Sequence, residues 1–225
     1  MHTVVSSVAP SRFTKALRYA IRQRVRKRIF DLLFSATVLV TLSPLFLFLA
    51  LLVCCTSRGA PFYSHTRIGR GGRPFRIWKF RSMYKDADGR LATLLAKDDD
   101  LRLEWESTQK LKKDPRVTKV GRFLRRISLD ELPQFFNVLK GNMSVVGPRP
   151  LLAKEITQHF GLHATKVLSV RPGLTGLWQI SGRSNTTYEE RVSLDLTYIN
   201  KATFFSDLIL VLKTIPVMLF SRGAY

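Results

Sequence analysis

The dominant hydrophobic pattern in the chain is an uncharged apolar run over residues 32–57. A run of this length and composition is typical of a segment embedded in a membrane. A cleaved signal peptide is a poorer interpretation, because the run is too long and no small-x-small cleavage site follows it. A lipoprotein signal is also disfavoured, since Val53 stands where a small residue would have to precede Cys54.

Ser43 and Pro44 interrupt this run near its middle. Pro44 removes a backbone donor and its ring clashes with the preceding turn, so a helix bends or breaks there. The Ser43 hydroxyl can donate to a carbonyl of that turn and offset part of the loss. Each half would be roughly 20 Å long, too short to cross a hydrocarbon core of about 30 Å. The pattern therefore predicts a re-entrant helix hairpin, with a kinked single span as the alternative.

Basic residues flank the apolar run on both sides. Residues 1–28 contain eight and residues 58–81 contain seven, and neither block has an acidic residue. A single span would place one block on the translocated side, against the positive-inside tendency, whereas a hairpin keeps both in the cytoplasm. Apolar residues recur every fourth position from Phe13 to Val25, so residues 1–28 predict a basic amphipathic helix on an anionic membrane surface. The alternative is a solvated basic tail.

The hydrophobic and polar positions after residue 58 predict an α+β body that is mostly helical. The predicted elements are a β-hairpin formed by 62–68 and 75–83, a short strand at 143–146, a loop at 171–176, and helices over 89–112, 117–126, 128–139, 188–200 and 204–220. The last helix carries Asp207, Lys213 and Pro216, which makes it a poor membrane span. We expect it either to pack on the core or to lie on the membrane surface.

The positive net charge of the chain predicts an anionic partner. The chain of 225 residues has 37 Lys and Arg against 16 Asp and Glu, a formal net charge of +21. This excess predicts binding to nucleic acid, to an anionic membrane surface or to phosphorylated substrates. Cys54 and Cys55 are adjacent, so a disulfide framework is excluded.

The predicted segments are a basic interfacial segment (1–28), a re-entrant membrane hairpin (29–57), a compact cytosolic domain (58–203) and a C-terminal interfacial or core helix (204–225).

The densest set of chemically useful residues surrounds Asp130 and Glu131. Ser128 and Glu131 have the spacing of a capping box, and Pro133 favours the first turn of a helix. A helix N-terminus would stabilise the ionised carboxylates. An ionised Asp130 suits nucleophilic attack, and Asp130 and Glu131 together suit a divalent cation. Simple helix capping is the alternative.

Several basic side chains are candidates for binding substrate phosphate. Arg149 is held between two prolines, and a guanidinium fixed in this way suits bidentate phosphate recognition. The alternative is a turn residue on a basic surface. Arg122, Arg125 and Arg126 precede the acidic pair and would attract phosphates, and Arg126 is preferred among them. Lys79 and Arg81 of the second predicted strand are the other preferred candidates.

Seven blocks, taken in order, make the chain resemble the bacterial sugar transferases, the small monotopic phosphoglycosyl transferases. The blocks are 27–31, 42–45, 79–83, 113–118, 128–134, 143–150 and 171–176. They include Ser43-Pro44, Asp130-Glu131 and the Pro-Arg-Pro sequence around Arg149. The middle blocks look closest to members that begin exopolysaccharide chains with galactose or glucose phosphate.

The resemblance implies an enzyme that moves a hexose-1-phosphate from a UDP-hexose to undecaprenyl phosphate and releases UMP. It implies that Asp130 is the nucleophile of a covalent phosphosugar intermediate, that Glu131 helps to hold Mg²⁺, and that Arg149 contacts substrate phosphate. It also implies a catalytic domain on the cytoplasmic face of the bacterial inner membrane, where the basic flanks attract anionic lipids.

A different interpretation is a non-catalytic, membrane-tethered module that binds nucleic acid or a protein partner through its basic surface. Nucleic acid is not expected as a partner, because aromatic stacking platforms and known nucleic-acid motifs are missing from the sequence. Release of UMP separates the enzyme from the binding module. No residue in the sequence identifies the hexose or the oligomeric state.

Overall fold

The computed structural model describes residues 12–57, 59–108, 111, 114–182 and 186–220. Its helices are α1 (Arg12–Thr41), α2 (Ser43–Ser57), α3 (Ala87–Lys97), α4 (Asp99–Thr108), α5 (Lys119–Arg126), α6 (Gln134–Leu139), α7 (Ala153–Glu155), α8 (Ala164–Val167), α9 (Leu177–Ile180), α10 (Tyr188–Lys201) and α11 (Phe204–Phe220). Its strands are β1 (Phe62–Ile68), β2 (Pro74–Phe80), β3 (Ser144–Val146) and β4 (Gly173–Thr175). The architecture is therefore α+β and mostly helical, as predicted.

Strands β1 and β2 form the predicted antiparallel hairpin. Their register runs from Phe62 opposite Phe80 to Ile68 opposite Pro74. Strands β3 and β4 form a second, parallel pair, in which Ser144 lies opposite Gly173. The prediction of a loop over 171–176 is therefore wrong for its central residues. A strand of three residues that pairs through its backbone has too little side-chain pattern to be recognised in the sequence.

Helices α1 and α2 meet at a sharp bend. The first ends at Thr41, the second begins at Ser43, and the axes of 22–41 and 43–57 bend by 64°. Ser43 Oγ donates to the carbonyl of Val40 at 2.8 Å, which is the back-bond predicted for this serine. The predicted break at Ser43-Pro44 is thus confirmed. Within the described residues, no helix taken alone has the length and apolar character needed to cross a membrane, and the bent pair reaches them only jointly.

Three charged residues of α1 anchor this helix in the body. Lys27 Nζ lies 2.6 Å from Asp207 Oδ2 of α11. Arg28 donates to two carbonyls at the C-terminal end of α6 and so caps that helix. Asp31 is buried and accepts hydrogen bonds from Ser144 Oγ and from a backbone N–H of β3. Side chains of residues 12–21 lie outside the described part, and with them most of the apolar stripe predicted for 1–28.

The end of α2 packs directly on the body through a hydrophobic cluster. Leu49 and Val53 of α2 are fully buried against Phe80 of β2, Leu124 of α5 and Leu132. Each such side chain contributes about 1.5–3 kcal/mol by leaving water. The cluster fixes the apolar segment to the turn that follows α5, which carries the predicted acidic pair.

Two predicted helices are interrupted. The helix expected over 128–139 is wrong in its first half, because Ser128 adopts a left-handed conformation with a φ of 57° and α6 begins only after Pro133. The helix expected over 89–112 is split into α3 and α4 at Asp98. The carboxylate of Asp98 accepts from the N–H of Leu101 at 3.0 Å, which starts a new helix. Residues 109, 110 and 112 of that prediction lie outside the described residues.

Helix α11 confirms the prediction for 204–220, and one of its faces packs on the core. Asp207, Leu210 and Val211 are buried on that face. The opposite face carries a row of exposed apolar side chains: Phe205, Leu208, Ile209, Leu212 and Ile215. The prediction that this helix packs on the core is thereby confirmed for one face. Contact of the other face with a membrane stays a prediction.

Candidate active site

Asp130 and Glu131 lie in a short 3₁₀ turn, Leu129–Glu131, between α5 and α6. The Ser128 side chain makes no capping hydrogen bond, so the predicted capping box is wrong. Asp130 is 6% exposed, whereas the Glu131 side chain is 39% exposed. A non-glycine residue with positive φ is uncommon and costs free energy, and such strain is concentrated at functional sites. The turn therefore buries one carboxylate and leaves its neighbour accessible.

Lys79 of β2 reaches both carboxylates. Its Nζ lies 2.6 Å from Glu131 Oε1 and 3.4 Å from Asp130 Oδ2. Burial raises the pKa of Asp130, and the charge of Glu131 raises it further, while Lys79 opposes both effects. Burial alone would lower the pKa of Lys79, but the two carboxylates outweigh it and raise that pKa. Nearby cations therefore offset part of the rise in the pKa of Asp130, and the helix N-terminus predicted at this position is not present.

Arg125, one of the three arginines expected to attract phosphates upstream of the acidic pair, is a second cation that acts on Asp130. Its charge acts to lower the pKa of Asp130, and its Nε donates to Ser82 Oγ at 2.8 Å. The preferred candidate, Arg126, lies on the exposed side of α5. The choice of Arg125 over Arg126 could have been made from the helical period. Arg125 shares one face of α5 with Gly121 and Leu124, which are both buried.

The start of α5 is held in place by close backbone packing. Thr118 accepts from the N–H of Gly121 at 2.8 Å and so caps the helix. A Cβ on Gly121 would overlap the carbonyl of Ser82, so only glycine permits this approach of α5 to the end of β2. Arg81 lies beside this contact and its guanidinium packs over Gly59, just after the apolar segment. Lys79 and Arg125 are thereby held around Asp130 by elements that pack on each other.

Arg149 is carried by a rigid loop that follows β3. A Cβ on Gly147 would lie 2.7 Å from the carbonyl of Arg171 and 2.8 Å from the N–H nitrogen of Gly173, so two backbones meet here without side chains between them. The guanidinium carbon of Arg149 lies 5.2 Å from the centroid of the Trp178 ring. Arg149 also acts electrostatically on Lys79, which links its loop to the acidic pair.

A small cleft is lined in part by Arg149. Among the residues that line it are Trp178, Tyr188, Arg191 and Asp195. Burial raises the pKa of Asp195 to about 7, although the charge of Arg149 acts in the opposite direction. Sequence reasoning missed these four residues. Three of them, Tyr188, Arg191 and Asp195, are spaced by three and four residues along α10. This spacing could have predicted that they share one face of the helix.

Asp130 and Glu131 are the residues predicted to hold Mg²⁺. In the part of the chain that the structure describes, no three His, Cys, Asp or Glu side chains are grouped to hold a metal ion. Mg²⁺ is commonly bound by one or two carboxylates together with substrate phosphates and water. The accessible carboxylate of Glu131 next to Asp130 fits a cation that arrives with a phosphorylated ligand.

Comparison with known proteins places the chain in a family. The family described as "Bacterial sugar transferase" matches residues 22–221, which include every candidate site residue. The chain belongs to the bacterial sugar transferase family, and it is an enzyme, a phosphoglycosyl transferase. The resemblance inferred from the seven blocks is confirmed, and the interpretation as a non-catalytic basic module is not supported.

Individual relatives are similar over most of the chain. The exopolysaccharide production protein ExoY of Rhizobium meliloti is 47% identical over 199 residues, which are 88% of this chain and 88% of that protein. The undecaprenyl-phosphate galactose phosphotransferase of Salmonella typhimurium is 46% identical over 203 residues, 90% of this chain but 42% of that protein. The UDP-glucose:undecaprenyl-phosphate glucose-1-phosphate transferase of Klebsiella pneumoniae is 40% identical over 208 residues, 89% of this chain and 42% of that protein.

Proposed function

We propose that the protein transfers a hexose-1-phosphate, of the galactose or glucose type, from a UDP-hexose to undecaprenyl phosphate and releases UMP. The names of the Salmonella and Klebsiella relatives support this donor and acceptor class. The observation that carries the proposal is the buried Asp130 beside an accessible Glu131, with Lys79 in contact with both. This arrangement supplies a nucleophile, a site for a phosphate-bound cation and a positive charge at one place.

The proposed reaction has two steps at one phosphorus atom. A carboxylate oxygen of Asp130 attacks the phosphorus that bears the hexose, and the bond from that phosphorus to the bridging oxygen breaks, so UMP leaves with that oxygen. A phosphate oxygen of undecaprenyl phosphate then attacks the same phosphorus. The bond to Asp130 breaks, the carboxylate is regenerated, and the product is an undecaprenyl diphosphate that carries the hexose.

The side chains around Asp130 divide the remaining tasks. Lys79 and Arg125 favour the ionised form of Asp130 that attack requires, and Arg149 orients the donor phosphates. Asp130 and Glu131 would hold Mg²⁺, which when bound supplies positive charge against the diphosphate. Burial of Asp130 excludes water from the nucleophile and reduces its hydration, so the protein's own dipoles and cations determine its reactivity.

The bent pair of α1 and α2 supports a location at the bacterial inner membrane. A charged phosphate is costly inside hydrocarbon, so a lipid acceptor must present its phosphate at headgroup level. An apolar segment that dips into one leaflet and returns places the acidic pair at this level, because Leu49 and Val53 pack against the elements around it. We propose that both ends of this segment, and the whole body, lie on the cytoplasmic face and contact anionic lipids.

Topology is tested by cysteine labelling in intact cells. Single cysteines are placed just before residue 29 and just after residue 57, in a background where Cys54 and Cys55 are replaced by serine. We expect an impermeant maleimide added from outside to label neither site, and permeabilised cells to label both. Labelling of one site alone in intact cells would mean a single span.

The chemistry is tested by trapping the first step. Purified protein is incubated with UDP-galactose or UDP-glucose and Mg²⁺, without acceptor, and we expect UMP release and one added phosphohexose mass on the peptide that contains Asp130. The Asp130→Asn variant should acquire no such mass. Asp86→Asn, which alters an exposed carboxylate paired with Arg90, serves as the control. An adduct on a different residue would overturn the assignment of Asp130.

A further inference from the structure

Three arginines from separate elements are linked electrostatically, because Arg149 acts on each of the other two. They are Arg67 of β1, Arg149 of the loop after β3 and Arg191 of α10. We propose that these three side chains form one anion-binding site that takes the diphosphate of the nucleotide-sugar donor. This inference rests on the proposed function, and it adds Arg67 and Arg191 to the residues that bind substrate.

An aromatic platform holds two of the three guanidinium groups. The guanidinium carbons of Arg149 and Arg191 each lie 5.2 Å from the centroid of the Trp178 ring, and that of Arg191 lies 5.1 Å from the Tyr188 ring. Aromatic faces attract cations, and a guanidinium stacked on a ring keeps the N–H donors at its edge available for a ligand. The platform therefore fixes the direction of two arginines. Arg191 also donates from Nε to Thr186 Oγ1 at 3.0 Å, which leaves its terminal N–H groups for a ligand.

The backbone brings the segment that carries Arg67 beside the loop of Arg149, and the Arg67 guanidinium itself contacts the His65 ring and the carbonyl of Thr66. The N–H of Ile68 donates to the carbonyl of Leu151 at 2.8 Å, so the end of β1 runs beside the loop that carries Arg149. Burial lowers the pKa values of Arg67 and Arg191, and the charge of Arg149 lowers both further. Such mutual repulsion is expected where like charges are held together, and an anion between them relieves it.

The acidic residues near the arginines do not neutralise them. Glu155 uses one carboxylate oxygen to accept from the N–H of Leu152 at 2.7 Å and the other to accept from Tyr188 Oη at 3.4 Å. Asp195 is 2% exposed and accepts a hydrogen bond from the backbone of Arg149. Glu131 also acts on Arg67, but it is paired with Lys79 at 2.6 Å. The three guanidinium groups therefore lie near carboxylates that already have other partners.

A further donor in the cleft lacks a partner. The indole Nε1 of Trp178 is buried, and no hydrogen-bond acceptor lies within reach of it among the described residues. A buried N–H without an acceptor costs about 1–3 kcal/mol, so an acceptor supplied by a ligand would be favourable. A diphosphate provides several oxygen acceptors and up to three negative charges. It therefore matches both the three guanidinium groups and the unpaired indole N–H.

Binding of UDP to the full-length protein in detergent tests the site without requiring transfer. Trp178 lies in the cleft, so we expect UDP to change its fluorescence, and this change should disappear in Trp178→Phe. The variants Arg67→Gln and Arg191→Gln should each weaken UDP binding at least about tenfold. Arg73→Gln, which alters an exposed arginine in the turn between β1 and β2, is the matched control and should bind UDP like the parent.

Kinetics and a second ligand separate a substrate-binding role from a merely structural one. Arg191→Gln should raise KM for the UDP-hexose and leave KM for undecaprenyl phosphate and the melting temperature unchanged. Arg191→Lys should recover part of the lost affinity, because it keeps the charge but not the planar fork. Uridine binding should be unaffected by either substitution. An equal loss for uridine would place the nucleoside rather than the diphosphate at the arginines and would overturn the proposal.

The outcomes also separate this inference from the proposed function. If the parent protein releases no UMP but binds UDP in a manner that depends on Arg67 and Arg191, the reaction is wrong and the anion site stands. If UMP is released while both variants behave like Arg73→Gln, the three-arginine site is wrong and the reaction stands.

Discussion

Asp207 and Asp130 are both buried, and each is paired with a lysine. The two Asp–Lys pairs serve different purposes. Asp207 on α11 receives Lys27 at 2.6 Å and the hydroxyl of Tyr198 at 2.9 Å. Asp130 receives Lys79 only at 3.4 Å. The first carboxylate is saturated by short contacts from two donors that belong to separate helices. The second is held loosely and carries part of its desolvation cost uncompensated.

The neighbouring residue explains the difference. Glu131 takes Lys79 at 2.6 Å, so the lysine is shared between two carboxylates and lies closer to the accessible one. A fully paired carboxylate stabilises a fold but is a poor nucleophile, because attack would require its partners to be broken first. The comparison indicates that the Lys27–Asp207 pair ties α1 to α11, whereas the Lys79–Asp130–Glu131 group is arranged for chemistry.

The largest expected effect is a reversal of phenotype between the two aspartates. Asp130→Asn should reduce UMP release at least about 10³-fold, because the nucleophile is lost, while the melting temperature is unchanged or higher. Asp207→Asn should lower the melting temperature but retain turnover per folded molecule. UMP release and thermal unfolding are measured on the same preparations. Asp207→Asn with a lower turnover than Asp130→Asn would contradict the division of roles.

The pH dependence of turnover in Lys79→Met tests the role of this lysine beside Asp130. Lys79 acts to lower the pKa of Asp130, so in Lys79→Met that pKa should rise further above its ordinary value. Attack needs the ionised carboxylate, so turnover should fall roughly 10–100-fold and the acidic limb of the pH–rate profile should move to higher pH. Arg76→Met, an exposed position on the same strand, is the control. An unshifted acidic limb would argue against the role given to Lys79.

Removal of Lys27 should affect stability rather than chemistry. Lys27→Met leaves Asp207 buried with one partner fewer, which should destabilise the fold by about 3 kcal/mol. The double variant Lys27→Met, Asp207→Asn should recover part of this loss, because no buried charge is left unpaired. Both are measured by thermal unfolding in detergent. If Lys79→Met proves as destabilising as Lys27→Met, the two pairs do not differ as we describe.

The smallest expected effect concerns Asp195, which lies between Arg149 and Arg191. Its pKa is about 7 in the folded protein against an ordinary value of 3.8, so the folded state binds the proton more tightly. Protonation therefore stabilises the fold, and this contribution is lost as the pH rises from about 4 to about 7. This pH-dependent loss should be absent in Asp195→Asn, so the melting temperature of the variant relative to the parent should increase across that window. A constant difference would contradict the shifted pKa.

Sequence patterns predicted the elements that have a long period or a strong breaker. The hairpin of β1 and β2, the helices α10 and α11 and the break at Ser43-Pro44 all follow from alternation, helical period or proline chemistry. The acidic pair was also found, although its local structure was not, because the left-handed conformation of Ser128 has no sequence signal for a non-glycine residue. The turn at 129–131 is imposed by tertiary packing, which overrides local preference.

The rest of the site depends on contacts between segments far apart in the chain. Lys79 meets Asp130 across 51 positions, and Arg149 meets Trp178 through a parallel strand pair of three residues each. Neither contact has a local period, so a single sequence cannot pair these residues. Arg125 and Arg191 differ in this respect, since each shares a helix face with buried neighbours and could have been preferred on that basis.

The meeting of Gly147 and Gly173 limits how this enzyme can change over evolution. The backbones of Gly147 and Gly173 are in direct contact, so the position of the Arg149 backbone is fixed by backbone packing and not by side chains that could be substituted. A side chain at either glycine would push the two backbones apart and move Arg149 away from Trp178, so we expect both positions to tolerate only glycine.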